Sequence, residues 1–219
     1  MDEKAGFMIK LPFIVIALLY IQSTSANNDQ FNDLLKSKLS DPIALDKSLS
    51  SAKDKVFICT YCHGIDGNSQ KEYIPNLASQ NPEYTIAQLI NYSLEKRKSL
   101  TMNKISADLS LEDKVDIAIY YSKSNIRTKH KKESPLSNRG EQIFNTACFI
   151  CHGKKAKGNK NIPSLAKQNE KYIKDTLLEF KNNKNYRPDS PMFEIAAKLS
   201  QNDIQSIAAY ISRISDEDS

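Results

Sequence analysis

Four apolar residues near the C-terminus recur at helical spacing and share one face: Ile204, Ile207, Ala208 and Ile211. Ser200 precedes this pattern and is followed three residues later by Asp203, a combination typical of a helix N-terminus. Ser110 and Asp113 stand in the same relation ahead of an earlier apolar pattern. The sequence therefore predicts two amphipathic helices, which begin after Ser110 and Ser200.

Helical periodicity also predicts earlier helices at about 48–60, 83–97, 138–150 and 170–183. No segment shows the convincing alternation of apolar and polar residues that is typical of a half-buried strand. At 219 residues, 40% of them hydrophobic, the chain is long enough for two small globular domains. The predicted fold class is all-α.

The second half of the chain repeats the first half with an offset of 88 to 90 residues. Four residue pairs mark this offset: Cys59 and Cys148, Pro75 and Pro163, Met102 and Met192, and Tyr120 and Tyr210. Residues 74–81 and 162–169 also share most of their letters, and a charged segment ending in proline separates the two copies. The repeat predicts an N-terminal domain at 27–128, a linker at 129–136 and a C-terminal domain at 137–219. Residues 27–46 have no counterpart in the second copy.

The N-terminus has the order of a secretory signal peptide. Lys10 is followed by an apolar run over 11–21 and then by small and polar residues over 22–26. The apolar run is short for a membrane span, so an uncleaved anchor is the weaker alternative. We therefore expect residues 1–26 to be a cleavable signal peptide and the mature chain to be periplasmic, with peripheral membrane contact left open.

Each copy of the repeat carries one Cys-x-x-Cys-His motif. The motif residues are Cys59, Cys62 and His63 in the first copy and Cys148, Cys151 and His152 in the second. Two thiols at this spacing can add to the two vinyl groups of haem, and the adjacent histidine then serves as an axial ligand of the iron. The motifs predict two covalently attached haem c groups.

The second axial ligand of each iron is sought among the methionines. Beyond the predicted signal peptide the chain contains two of them, Met102 and Met192, which follow His63 and His152 by 39 and 40 residues. One methionine per haem is what His/Met ligation requires, and core packing is the alternative use of these side chains. Filled axial positions leave no site for oxygen or peroxide, so we expect one-electron transfer and no enzymatic activity.

Other uses of the four cysteines are a zinc site, a thioredoxin-like redox pair or disulfide bonds. The zinc site gives no role to the paired histidines and methionines, and the redox pair needs a βαβ context that the helical pattern lacks. The remaining histidine, His130, lies among lysines in the linker and is interpreted as solvated. The formal net charge is +5, which the ionised propionates of two haems would largely cancel, so nucleic acid is not expected as a partner.

The two motifs and their flanking residues resemble class I c-type cytochromes in each half, and the di-haem cytochrome c4 family over essentially the whole mature chain. Gly140 and Phe144, before the second motif, are similar to the glycine and aromatic pattern of the first class I helix. In that family this helix crosses the C-terminal helix closely, which a glycine permits. The first half has Ser51 and Lys55 at the positions equated with Gly140 and Phe144, so its helix crossing is expected to differ.

The resemblance implies further contacts with the haem groups. The carbonyl oxygens of Pro75 and Pro163 are expected to accept a hydrogen bond from the axial histidines, with a plain loop proline as the alternative. Arg97 and Arg187 each precede a methionine by five residues and are expected to pair with haem propionates or to lie at the surface.

The resemblance also implies a function, that of an electron carrier in a respiratory chain between a quinol-oxidising complex and a terminal oxidase. The alternatives are the cytochrome subunit of a periplasmic dehydrogenase, or a di-haem peroxidase or sensor, which would need an open position at one iron. Four lysines after the second motif could steer docking to an acidic partner or form a solvated loop: Lys154, Lys155, Lys157 and Lys160.

Overall fold

The computed structural model describes residues 30–127, 135–182, 187 and 190–214. Within these ranges the regular elements are helices and no strand is present, which confirms the predicted all-α class. The predicted signal peptide at 1–26, most of the predicted linker at 129–136 and His130 lie outside the described residues. None of the described helices is both long enough and apolar enough to cross a membrane.

The described part of the N-terminal half folds into the helices α1 (30–40), α2 (Pro42–His63), α3 (Pro82–Ser93), α4 (Leu100–Ala107) and α5 (Leu111–Lys123). Helix α2 begins earlier than predicted, because the Asp41 carboxylate caps its N-terminus and Pro42 occupies its first turn. Helix α5 begins at Ser110 as predicted, with a reciprocal pair of hydrogen bonds between Ser110 and Asp113.

The C-terminal half repeats this order with α6 (Pro135–Ile143), a π-helical turn (Phe144–Cys148), α7 (Phe149–His152), α8 (Glu170–Lys181), α9 (Met192–Ala197) and α10 (Gln201–Ile211). The first three elements form one continuous helical segment, whose first turn includes the last two residues of the predicted linker. Ser200 caps α10 in the same way as Ser110 caps α5. All four residues of the predicted apolar face of α10 are buried.

Helix α1 was not predicted, and it covers the outer side of the N-terminal core. Phe31 and Leu35 are buried against Ile86, Val115 and Ile119. The apolar residues of α1 thus have the same role as those of any core helix, although residues 27–46 lie outside the repeat.

A buried ion pair ties α1 to α5. The Lys38 ammonium lies 2.7 Å from the Asp116 carboxylate and 2.8 Å from that of Glu112, and the Ser48 hydroxyl donates to Asp116 at 2.5 Å. Burial alone would lower the pKa of Lys38, but hydrogen bonds to the two carboxylates raise it above its ordinary value. Lys38 is therefore held in its charged form.

Helices α6 and α10 cross closely at Gly140. A Cβ atom at this position would overlap the backbone carbonyl of Ser206 and lie 2.8 Å from the Cβ of Tyr210. Glycine is therefore required by the contact itself, in agreement with the expectation from the resemblance.

In the first half, Ala52 and Val56 lie at the helix crossing, and Ser51 and Lys55 do not. This finding corrects the sequence prediction. Ser51 and Lys55 are exposed, whereas Ala52 is 0% and Val56 4% exposed. Val56 packs against Leu89, Ile117 and Tyr121, and Phe144 packs against the matching residues of the second half: Leu177, Ile207 and Ile211.

The π-helical turn explains this shift of one residue. The amide of Phe149 donates to the carbonyl of Phe144, five residues earlier, so the second half accommodates one extra residue between its helix crossing and its motif. Upstream of the turn the offset between the copies is therefore 88 rather than 89. Gly140 corresponds to Ala52, and the small side chain at both positions allows a close approach of the helices.

Candidate functional site

The first Cys-x-x-Cys-His motif occupies the last turn of α2, which ends at His63. The His63 side chain is buried, and its Nδ1 lies 2.9 Å from the carbonyl oxygen of Pro75. Burial lowers the pKa of His63, which favours the neutral imidazole. When Nδ1–H donates to the Pro75 carbonyl, the lone pair of Nε2 is left for a metal.

The second motif repeats this geometry at the end of α7. His152 is also buried, and its Nδ1 lies 3.2 Å from the carbonyl oxygen of Pro163. Burial lowers the pKa of His152 as well. Gly153 ends the helix with φ of +74°, as Gly64 ends α2 with φ of +81°, and both values favour glycine.

The two methionines lie on short helices that the sequence pattern did not predict. Met102 lies in the first turn of α4, where its amide donates to the hydroxyl of Ser99 at 3.3 Å, and Met192 begins α9. Met102 packs against the core cluster that Cys59 also contacts, and Met192 packs against the cluster that Cys148 contacts. Each half therefore brings one motif and one methionine to a single apolar cluster.

The four cysteines, all of which are described, form no disulfide bond. Burial raises the pKa of Cys59, and it raises that of Cys148 to about 11, so both thiols are protonated at neutral pH. The described residues contain no group of three or more His, Cys, Asp or Glu side chains that could hold a metal ion. This arrangement gives no support to the zinc and disulfide alternatives.

The donor set fits a covalently attached haem in each half. The thiols are available for attachment, each imidazole is oriented by a proline carbonyl with Nε2 left for iron, and a thioether lies on the same apolar cluster.

Arg97 is a buried residue and not a surface arginine, with 8% of its area exposed. Its guanidinium donates to Gln88 Oε1 at 2.9 Å and to the hydroxyl of Tyr172 at 3.1 Å, and it lies over the ring of Tyr92 at 4.6 Å from the centroid. Tyr172 belongs to the C-terminal half, so this cation sits where the two halves meet. Burial alone would raise the pKa of Tyr172, but Arg97 and Arg187 lower it below its ordinary value.

The loops after the two motifs meet through reciprocal glutamine contacts. Gln168 donates to the Asn76 carbonyl at 3.0 Å and accepts from the Asn76 amide at 2.7 Å. Gln80 donates to the Ser164 carbonyl at 2.9 Å and accepts from the Ser164 amide at 2.8 Å. Because Gln80 corresponds to Gln168 and Asn76 to Ser164 in the repeat, the contact is isologous.

Two asparagines extend this contact. The Asn81 side chain donates to three backbone carbonyls of the opposite half: Lys157, Asn159 and Ile162. The Asn169 side chain donates to the carbonyls of Lys71 and Ile74. In the sequence, residues 74–81 and 162–169 indicate the repeat but no contact. The repeated Gln-Asn pair of these segments forms the contact between the halves. This role was not predicted, although the repetition of the pair was a visible signal.

The chain is similar in sequence to known cytochromes. Residues 136–211 match the family described as cytochrome C oxidase, cbb3-type, subunit III. The chain is 31% identical over 182 residues to cytochrome c4 of Stutzerimonas stutzeri, covering 74% of this chain and 86% of that protein.

The fold of this chain is also similar to those of solved structures. The crystal structure of reduced recombinant cytochrome c4 from Pseudomonas stutzeri has a TM-score of 0.71 at 29% identity, covering 76% of this chain and 98% of that one. Thiosulfate dehydrogenase (TsdBA) from Marichromatium purpuratum has a TM-score of 0.65 at 20% identity, covering 76% of this chain and 39% of that one, and at this identity the likeness concerns the fold alone.

Proposed function

The chain belongs to the cytochrome c4 family of di-haem c-type electron carriers, and we propose that it transfers single electrons between redox proteins of a periplasmic respiratory chain. The observation that carries this proposal is the duplicated site, in which each half supplies one motif, one buried histidine and one methionine. We propose a quinol-oxidising complex as the electron donor and a terminal oxidase as the acceptor.

We further propose which residues hold the two haem c groups. Cys59 and Cys62 would attach the first group and Cys148 and Cys151 the second, while His63 with Met102 and His152 with Met192 would be the iron ligands. When bound, each haem supplies a reversible one-electron couple. The chain would contribute a neutral, oriented imidazole and a thioether to each iron, and with both ligands bound the iron would have no open position for oxygen or peroxide.

Arg97 and Arg187 are proposed to pair with haem propionates. Arg97 is held rigidly at the contact between the halves by Gln88, Tyr92 and Tyr172. The guanidinium of Arg187 lies 4.9 Å from the centroid of the Phe180 ring. The buried guanidinium of Arg97, with its fixed donors, suits a carboxylate partner.

A peroxidase or sensor is distinguished from an electron carrier by the open iron position that it needs. We expect the reduced holoprotein not to bind carbon monoxide, because Met102 and Met192 would each occupy the remaining ligand position of one iron. The test is the Soret spectrum of the dithionite-reduced protein before and after carbon monoxide is added. A carbon monoxide adduct in a freshly purified sample would contradict the proposal.

The basic loop after the second motif is proposed as the docking surface for an acidic redox partner. Lys154 and Lys155 are exposed, whereas the corresponding residues of the first half are Ile65 and Asp66. We expect the double variant Lys154→Glu/Lys155→Glu to slow electron transfer to the partner about tenfold or more at low ionic strength, with the difference shrinking as salt is added.

The matched control is Lys47→Glu/Lys53→Glu, which makes the same change in net charge at exposed positions of α2. Stopped-flow oxidation of the reduced protein by a terminal oxidase measures both variants. Equal rates for the two double variants would rule out steering by this loop.

Export and domain organisation complete the proposal. We propose that residues 1–26 are cleaved as a signal peptide and that the mature chain consists of domains 27–128 and 137–219. N-terminal sequencing of the protein isolated from the periplasm tests the cleavage, which we expect close to Asn27. An intact N-terminus in a membrane fraction would instead indicate an anchor.

A further inference from the structure

The contact between the halves reaches the peptide groups that orient the two histidines. The peptide unit between Pro75 and Asn76 accepts from His63 Nδ1 through its carbonyl at 2.9 Å and donates to Gln168 Oε1 through its N–H at 2.7 Å. A side chain of the C-terminal half is therefore one peptide group away from the histidine of the N-terminal half.

The same arrangement occurs in the opposite direction. The peptide unit between Pro163 and Ser164 accepts from His152 Nδ1 at 3.2 Å and donates to Gln80 Oε1 at 2.8 Å. Each glutamine carbonyl also accepts from the amide of the asparagine that follows it, at 3.0 Å for Asn81 and 2.8 Å for Asn169, which fixes its orientation.

We propose that Gln168 and Gln80 are positioning residues that tune the haem of the opposite half. Gln168 lowers the reduction potential of the haem on His63, and Gln80 lowers that of the haem on His152. This inference rests on the proposed ligation of iron by these two histidines.

The physical basis is the polarisation of the shared peptide group. An acceptor on the N–H increases the negative charge on the carbonyl oxygen of the same peptide, and linked hydrogen bonds strengthen one another by about 10–30%. A stronger carbonyl acceptor draws the Nδ1 proton and makes Nε2 a more basic ligand. A more basic ligand stabilises ferric over ferrous iron, so the reduction potential falls.

Each glutamine, the peptide group that it binds and the histidine on that peptide form a relay: the first relay runs from Gln168 to His63 and the second from Gln80 to His152. Burial makes the two relays unequal. Gln168 and Asn76 are 5% and 4% exposed, whereas Gln80 and Ser164 are both half-buried. The histidine contact is also shorter in the first relay, at 2.9 Å against 3.2 Å. Because water screens a hydrogen bond less when it is buried, Gln168 has the larger effect.

The test uses holoprotein variants in which methionine, of similar shape, replaces one glutamine. In Gln168→Met we expect the ferric-to-ferrous equilibrium of the N-terminal haem to shift two- to threefold towards the ferrous form, about 20–30 mV for one electron, with the C-terminal haem unchanged. In Gln80→Met, the less buried site, we expect a smaller shift confined to the C-terminal haem. Haem methyl resonances in partly oxidised samples assign each potential to its haem.

A second readout follows the hydrogen bond itself. In the reduced protein, the Nδ1–H proton resonance of His63 should move upfield in Gln168→Met, and that of His152 in Gln80→Met. The control is Asn81→Ala, which removes contacts between the halves without touching either of the two peptide groups. We expect it to leave both Nδ1–H resonances unchanged.

The outcomes separate the relay from the proposed ligation. Unchanged potentials in both glutamine variants, or equal shifts of both haems in either one, would overturn the relay while the spectra still show His/Met ligation. Absence of His/Met ligation in the wild-type holoprotein would instead overturn the proposed function, and the relay with it.

Discussion

The close helix crossing at Gly140 predicts that a larger side chain at this position lowers the stability of the fold. In Gly140→Ala, the new methyl group would overlap the Ser206 carbonyl and press on Tyr210, so α6 and α10 must separate. Overpacking of this kind costs about 1–3 kcal/mol of stability. The cost should lie at the upper end of this range, because the atoms that the methyl group would overlap belong to the backbone. Alanine recovers about 1 kcal/mol of helix propensity relative to glycine. The expected net loss of stability is about 2 kcal/mol.

Equilibrium urea unfolding of the holoprotein, followed by circular dichroism at 222 nm, measures this loss. The control is Asn138→Ala, an exposed position two residues earlier on α6, where alanine should be neutral or slightly stabilising. If Gly140→Ala were as stable as the control, α6 and α10 would not be in close contact at this residue.

Three further predictions concern single residues. Asp116→Ala should destabilise the N-terminal half by about 3 kcal/mol in urea unfolding, because it leaves Lys38 buried with only Glu112; a loss below 1 kcal/mol would show that the pair is solvated. Phe31→Ala should cost about 3 kcal/mol in the same assay if α1 is part of the core, and no change would mean that α1 is detached. Hydrogen bonds from Ser200 and Arg139 lower the pKa of Asp203 from 3.8 to about 2. The ionised carboxylate therefore contributes fully to folding stability above pH 3.8, and this contribution is lost as the pH falls towards 2. The stability difference between wild type and Asp203→Asn should therefore shrink below about pH 4, and a difference that grows there would contradict the assignment.

Much of the fold follows from local sequence signals. Ser110 and Ser200 mark the starts of α5 and α10 because each is followed by an acid three residues later, and the buried face of α10 follows from simple periodicity. Helix α1 was missed because it lies outside the repeat, and its role depends on contacts with α3 and α5 that local sequence does not encode.

Aligning the two copies at their motifs predicts the wrong residues for the helix crossing of the N-terminal half. Counting back from Cys59 and Cys148 equates Ser51 with Gly140, but the π-helical turn at 144–148 adds one residue and makes Ala52 the true counterpart. A turn of this type has no clear sequence signal, so an alignment that starts at the motif carries the error through the whole helix.

The candidate site was predictable where its residues form a motif and less so where they act across the two halves. The cysteines and histidines could be proposed from the motif, and the methionines could be proposed because two of them remain beyond the predicted signal peptide, one in each copy of the repeat. The burial of Arg97 against Tyr172 and the pairing of Gln168 with Asn76 depend on how the halves meet, which no local pattern reveals. Repetition of the Gln-Asn pair was nevertheless a visible sign that these residues have a shared role.

An optical redox titration of the purified holoprotein would show whether each half carries a haem with His/Met ligation. We expect two one-electron waves at positive potential, with the weak methionine-to-ferric-iron band near the red end of the spectrum present for both haems. Loss of that band at either haem, or a wave far below zero, would show that Met102 or Met192 is not an iron ligand and would contradict the assignment of this chain as a two-site electron carrier.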